Sequence, residues 1–202
     1  MSTNRIPRFF TLFFLSIAFG IADYYVCDLV VYVLKFPIFC DMIFCLAMSF
    51  FAGPLWGIFV VISNHLFDML VSHSFVIEQM YMMSAFFGCL IAWFYKKYCM
   101  REEETAFVVF ARLLLLVLIM CAAMSVTGGI ISRIVAALHD DGSEYTYQIE
   151  FLKLSFGGKL KYPLLDAILL RLPINLVDRF ITVFAGWGVF AGMEKISRTR
   201  TK

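Results

Sequence analysis

The stretch FVVFARLLLLVLIMCAAMSVTGGIISRIVAAL, Phe107 to Leu138, decides what kind of protein this is. It carries two charged side chains, Arg112 near its start and Arg133 near its end, and is otherwise apolar apart from Ser125, Thr127 and Ser132. About 20 apolar residues cross a bilayer core at about 1.5 Å of rise per residue, so this segment is long enough to span. Working outward, Phe9 to Leu34, Ile38 to Ala52, Leu55 to Val71 and Val76 to Tyr95 repeat the pattern before it, and Ile174 to Met193 repeats it after. The reading predicts an all-α integral membrane protein, a compact bundle of six transmembrane helices forming one membrane domain over residues 1–202. The second and third segments are short and separated by Gly53-Pro54 alone, which predicts a tight helical hairpin that falls short of full bilayer depth.

Composition agrees. Hydrophobic residues make up 62% and charged residues 16%, against about half and about a quarter in soluble domains, so a soluble fold could not cover this much apolar surface. A mean hydropathy of +0.86 points the same way. The net charge of +2 lacks the basic stripe that nucleic acid would require. Cys27, Cys40, Cys45, Cys89, Cys99 and Cys121 lie mostly within apolar runs without a CxxC, and read as small buried hydrophobes. The N-terminus imitates a signal peptide, with Arg5 and Arg8 before an apolar run and Gly20-Ile21-Ala22 as a small-x-small site. Because the apolar pattern resumes at Tyr24, it reads instead as an uncleaved first helix.

Lysine and arginine set the orientation. Arg5 and Arg8 precede the first span, Lys96, Lys97 and Arg101 follow the fourth, and Lys195, Arg198, Arg200 and Lys202 follow the sixth. All fall on one side, so both termini are expected in the cytoplasm, with the chain in a bacterial inner (plasma) membrane. His139 to Pro163 then lies outside despite Lys153, Lys159 and Lys161, which long exterior segments tolerate. Its alternating Tyr145, Tyr147, Ile149 and Phe151 and the turn at Gly157-Gly158 suggest a short hairpin, an amphipathic flap or a loop on the headgroups. Leu164 to Leu172, containing Asp166 and Arg171, reads as an interfacial helix that Pro173 ends.

That topology gives each polar residue a depth. Asp23 and Asp28 lie late in helix 1, Asp41 opens helix 2, and Asn64, His65 and Asp68 lie late in helix 3. Glu78 and Gln79 open helix 4, Arg133 closes helix 5, and Asn175, Asp178 and Arg179 open helix 6. All belong to the outer leaflet, whereas the cytoplasmic halves hold chiefly Arg112. Ionisable groups at membrane depth face a bundle interior or water and usually mark a site, so the asymmetry predicts an outward-open pocket. A conducting pore would need polar residues through the full thickness. Asn64, His65, Asp68, Asn175, Asp178 and Arg179 are the central substrate-binding candidates, with Asp41, Glu78, Gln79 and Arg133 at the rim. The surplus of acids among them favours a cationic or zwitterionic ligand. The competing explanation for Asp28, Asp41 and Glu78 is helix capping or interfacial solvation, and for Asp178-Arg179 a structural ion pair with neighbours such as Asp68.

Catalytic signatures are missing. His65 and Asp68 share a helical face and could hold a metal or exchange a proton, but no HExxH, GxSxG or Walker A occurs. Glu102-Glu103-Glu104 is similar to the glutamate pair of membrane CAAX-type proteases, yet Phe107 stands where that pattern has arginine. No enzyme activity, metal or cofactor is expected. On helix 1, Ser16 and Gly20, with Ala18 and Ala22, are small residues four apart, a spacing that serves either packing within the bundle or docking of a partner subunit.

Three passages resemble the substrate-binding S components of energy-coupling factor (ECF) transporters. They are Phe39-Cys40-Asp41, Ala52-Gly53-Pro54-Leu55-Trp56-Gly57 followed by Asn64 and Asp68, and Pro173-Ile174-Asn175-Leu176-Val177-Asp178-Arg179. The pattern is also similar to the membrane input region of some bacterial sensor kinases, although the residues after Met193 leave no room for an output domain. The resemblance implies a six-helix bundle that captures a micronutrient, often a vitamin, from outside and releases it inward by toppling. A T subunit, received on the small-residue face of helix 1, and two ATPase subunits would drive that motion. Nickel and cobalt members resemble one another in a histidine after the initiator methionine; here Ser2 occupies that position, which argues against those metals.

Overall fold

A computed structural model of the chain describes residues 5–72, 77–101, 105–138 and 163–199. Among them the secondary structure is helical throughout. The elements are α1 (Arg5–Asp28) continued by a π-helical turn (Leu29–Val33), α2 (Ile43–Ala52), α3 (Pro54–Ser72), a 3₁₀ turn (Ile77–Tyr81) leading into α4 (Met82–Cys99), α5 (Ala106–Leu138) and α6 (Pro163–Thr199). The expected hairpin, flap or headgroup loop between α5 and α6, and the Glu102-Glu103-Glu104 run, lie outside the described residues.

Three helices, Phe9–Val33, Pro54–Ser72 and Ala106–Val135, are long and apolar enough to cross a membrane. The distribution of side chains fits a lipid solvent. Phe14, Tyr32, Leu55, Leu70, Phe107 and Leu118 stand exposed, while Asp23, Ser49, Ser125, Asp178, Arg179 and Thr182 are buried. A water-soluble bundle would invert that order.

The short helix α2 sits at the centre. It packs against α1, α3, α4 and α6, and each residue from Cys45 to Phe50 is buried. At about 1.5 Å per residue it covers about half of a hydrocarbon core. Both of its ends are capped by other helices. Met42 at its N-cap offers no side-chain bond. Instead the Asp23 carboxylate of α1 accepts the Phe44 and Cys45 N–H groups, both at 3.1 Å. At the other end Lys96 Nζ of α4 donates to the Phe50 carbonyl at 2.7 Å and lies over the Phe190 ring. An acid at the N-terminus and a cation at the C-terminus both complement the helix dipole.

Small residues let the neighbours close in. A Cβ on Gly57 would sit 1.9 Å from Ser49 Oγ, which fixes α3 against α2. The turn before α3 is Gly53 alone, at φ +104°, a region that favours glycine.

Two boundaries differ from those the sequence predicts. Helix 2 begins at Ile43 rather than Ile38, because residues 34–42 stay irregular, exposed at Leu34 and Phe36 and turned inward at Cys40 and Met42, which are buried. Their backbone finds partners in the protein: the Asp178 carboxylate accepts from Phe39 N–H at 3.2 Å and Cys40 N–H at 2.7 Å. The interfacial helix and helix 6 are one element, with Pro173 inside it. An interior proline leaves the carbonyl four residues back, here that of Leu169, without its helical donor. α5 packs on this stretch so closely that a Cβ on Gly129 would meet Ile168 at 2.6 Å, and Cys121 Sγ reaches the Leu172 carbonyl at 3.5 Å.

Candidate functional site

The irregular segment before α2 leaves a cavity of about 230 Å³ over the N-terminal end of that helix. Its wall comes from Phe39, Asp41 and Met42 of the segment, His65 of α3, Tyr81, Ser84 and Ala85 around the start of α4, Met124 and Gly128 of α5, and Arg171, Asn175 and Arg179 of α6. These positions lie late in α3 and α5 and early in α4 and α6, so the cavity occupies one end of the bundle. Lys96, Lys97, Lys195 and Arg198 lie at the opposite ends of α4 and α6. A wider hollow of about 480 Å³ lined by Ala191, Glu194, Lys195, Arg198 and Thr199 runs along the exposed end of α6 and gathers no buried polar group.

Arg171 anchors one side. It is 8% exposed, and its Nη2 donates to Tyr81 Oη at 2.9 Å and Ser132 Oγ at 2.5 Å, with the guanidinium carbon 5.1 Å from the Tyr81 ring centre. Tyr81 Oη and Ser132 Oγ are themselves 2.8 Å apart, which closes a triangle of polar groups. Gly128 makes the space: a Cβ there would sit 3.1 Å from Arg171 Nη1. No carboxylate pairs with Arg171 among the described residues, and its Nε is buried without a hydrogen-bond partner there.

Arg179 anchors the other side with acids beside it. Its Nη2 donates to Asp178 Oδ2 and lies 3.6 Å from Asp41 Oδ1, and its Nη1 contacts Met42 Sδ. Asp41 Oδ1 and Arg179 Nε lack hydrogen-bond partners among the described residues. Asn175, between the two arginines on α6, donates to Ser125 Oγ at 2.9 Å. A relay approaches from α3, in which His65 Nδ1 bonds Gln79 Oε1 and Gln79 Nε2 donates to Asp68 Oδ2 at 2.8 Å. Cys40, at φ +52°, is a non-glycine residue in the left-handed region, flanked by two residues of the cavity wall. The Asp178 bond holds it there against a cost of about 1–2 kcal/mol.

The candidates therefore divide. His65, Asn175, Arg179 and Asp41 meet at the cavity, while Asp68 and Gln79 stand behind His65. Asp178 does not face the cavity: it is fully buried, and its carboxylate is occupied by two backbone N–H groups and Arg179, so its work is to hold the segment before α2. Asn64 and Arg133 are half-buried and outside the cavity wall. The Glu78 side chain lies outside the described residues. On α1 the small residues separate too. Ser16 and Gly20 are buried, and a Cβ on Gly20 would meet Ser63 Cβ at 2.6 Å and the Val60 carbonyl at 2.7 Å, so that face packs on α3 instead of receiving a partner. Ala18 is exposed and Ala22 half-buried.

Arg171, Tyr81, Ser84, Ser125 and Ser132 were not among the sequence candidates. Arg171 has a readable signal: it is four residues before Asn175 and eight before Arg179, on one face of a continuous helix. Treating Pro173 as a helix end hides that face. With Arg171 included, the ionisable wall is no longer acid-rich. No family model, curated protein or solved structure matches this chain, so what the site does is argued from its own geometry.

Proposed function

We propose that this chain is the substrate-binding membrane subunit of an ECF-type importer, taking up a small, vitamin-like micronutrient. The observation that carries the reading is the cavity over α2, walled by buried charged and polar groups in a bundle whose outer surface is apolar. Ionisable groups at such depth are costly, and binding is a common reason for keeping them. The reading takes all six helices as spans with both termini cytoplasmic in a bacterial inner membrane, so the cavity opens outward. Lys96, Lys97, Lys195 and Arg198 at the opposite end support that orientation. The chain carries no nucleotide-binding motif, so the energy for inward release comes from a T subunit and two ATPases. Exposed Ala18 marks the face of α1 open to the T subunit.

The test is co-expression with a T subunit and its ATPases. A stable complex that Ala18→Leu weakens, with ATP-dependent uptake of the molecule retained on gentle purification, is the expected result. Absence of any complex, with retained molecules unchanged by Arg179→Ala, would sink the reading.

A further inference from the structure

Counted with Asp178, which pairs with Arg179 from behind the wall, the two arginines of the cavity are balanced by two acids, but the charges divide into two ends. Arg179 lies between Asp178 and Asp41, which leaves one negative charge in excess on that side. Arg171 meets hydroxyls and no described carboxylate, which leaves one positive charge in excess on its side. The two arginines are separated by eight residues of α6, about 12 Å of helix rise. Both ends also keep buried polar atoms without described hydrogen-bond partners, the Arg171 Nε donor on one side and the Asp41 Oδ1 acceptor with the Arg179 Nε donor on the other. Such atoms destabilise an empty site, and a ligand that supplies the missing partner recovers the loss.

We infer that the cavity is built for a small zwitterion, with its carboxylate on Arg171 and its cationic group beside Asp41. The inference rests on reading this cavity as the substrate site. A carboxylate matches Arg171 better than a phosphate does, because one uncompensated positive charge balances a monoanion, whereas a phosphate group brings about −1.5 to −2. The Tyr81 and Ser132 hydroxyls hold the guanidinium through Nη2, which leaves Nη1, on the side of Gly128 in the cavity wall, and Nε without described partners. About 230 Å³ is below the roughly 300–1,000 Å³ of drug-sized pockets, so the occupant is short.

The experiment titrates the full chain in detergent with ω-amino carboxylates from glycine to 6-aminohexanoate, followed by calorimetry. Alkyl carboxylates and alkylamines of matched length are the controls. At least one amino carboxylate binds at least tenfold more tightly than either control of its own length. Arg171→Met weakens that binding about tenfold to a hundredfold, the worth of a charged hydrogen bond, and leaves alkylamine affinity unchanged. Asp41→Asn has the reverse selectivity, weakening amino carboxylates and sparing alkyl carboxylates. Arg171→Lys keeps the charge without the planar fork and retains intermediate affinity, which separates lost recognition from lost folding. The inference is overturned by controls that bind as tightly as the zwitterions, by wild-type affinity in Arg171→Met, or by no amino carboxylate binding to helical, monodisperse protein. Intact amino-carboxylate binding in a chain that joins no ATPase complex would overturn the importer reading alone.

Discussion

At the scale of single residues, two buried acids that look alike in the sequence do structural work, and one arginine that looks interfacial faces the cavity. Asp23 supplies the cap that α2 cannot provide for itself. Asp23→Ala strands two N–H groups in the interior and is expected to cost about 2 kcal/mol or more, read as a lower melting temperature of the purified protein. Asp178→Ala frees the Phe39 and Cys40 backbone and disturbs binding indirectly, lowering thermal stability and affinity together. His65→Ala weakens ligand binding, whereas Asn64→Ala, outside the cavity wall, leaves it within about twofold, the effect of a substitution worth less than about 0.5 kcal/mol. The polar cluster Asn64-His65-x-x-Asp68 was legible as a place where side chains need partners. Which of the three reaches the cavity depends on how α3 is rotated against α2, a packing matter that the close approach at Gly57 settles.

At the scale of elements, apolar run length carries α1, α3, α4 and α5 to within a few residues. It fails where backbone satisfaction comes from elsewhere. Residues 38–42 are apolar enough to extend α2, but the distant Asp178 offers their N–H groups another partner. Pro173 breaks an isolated helix, yet packing on α5 carries α6 through it. Replacing an interior proline removes a penalty of up to about 3 kcal/mol. Pro173→Ala is therefore expected to raise the melting temperature with unchanged helical content by circular dichroism. Helix 1 separates its two small-residue pairs. Gly20→Leu forces α1 off α3 and should cost about 1–3 kcal/mol, the usual penalty for overpacking. Ala18→Leu, on the exposed side, is expected to leave the melting temperature unchanged.

At the scale of the whole molecule, large apolar side chains face outward while Asp23, Asp178 and Arg179 are enclosed, an arrangement that fits a hydrocarbon surround. Orientation has a direct readout in Cys99, the exposed cysteine at the end of α4 next to Lys96 and Lys97. A membrane-impermeant maleimide added outside intact cells should leave Cys99 unlabelled and should label it after lysis. Labelling from outside would reverse the topology and turn the cavity towards the cytoplasm.

The capping of α2 also dictates an order of events during synthesis. Asp23 emerges from the ribosome before α2, but Lys96 arrives with α4 and Asp178 only with α6. A ten-residue helix is too short to partition into lipid as a span. The α2–α3 hairpin must therefore wait beside its neighbours until the C-terminal part of the chain delivers Asp178. A nascent chain halted before α6 would hold the segment ahead of α2 unsatisfied, open to quality-control proteases, and the cavity would form only once α6 has been made.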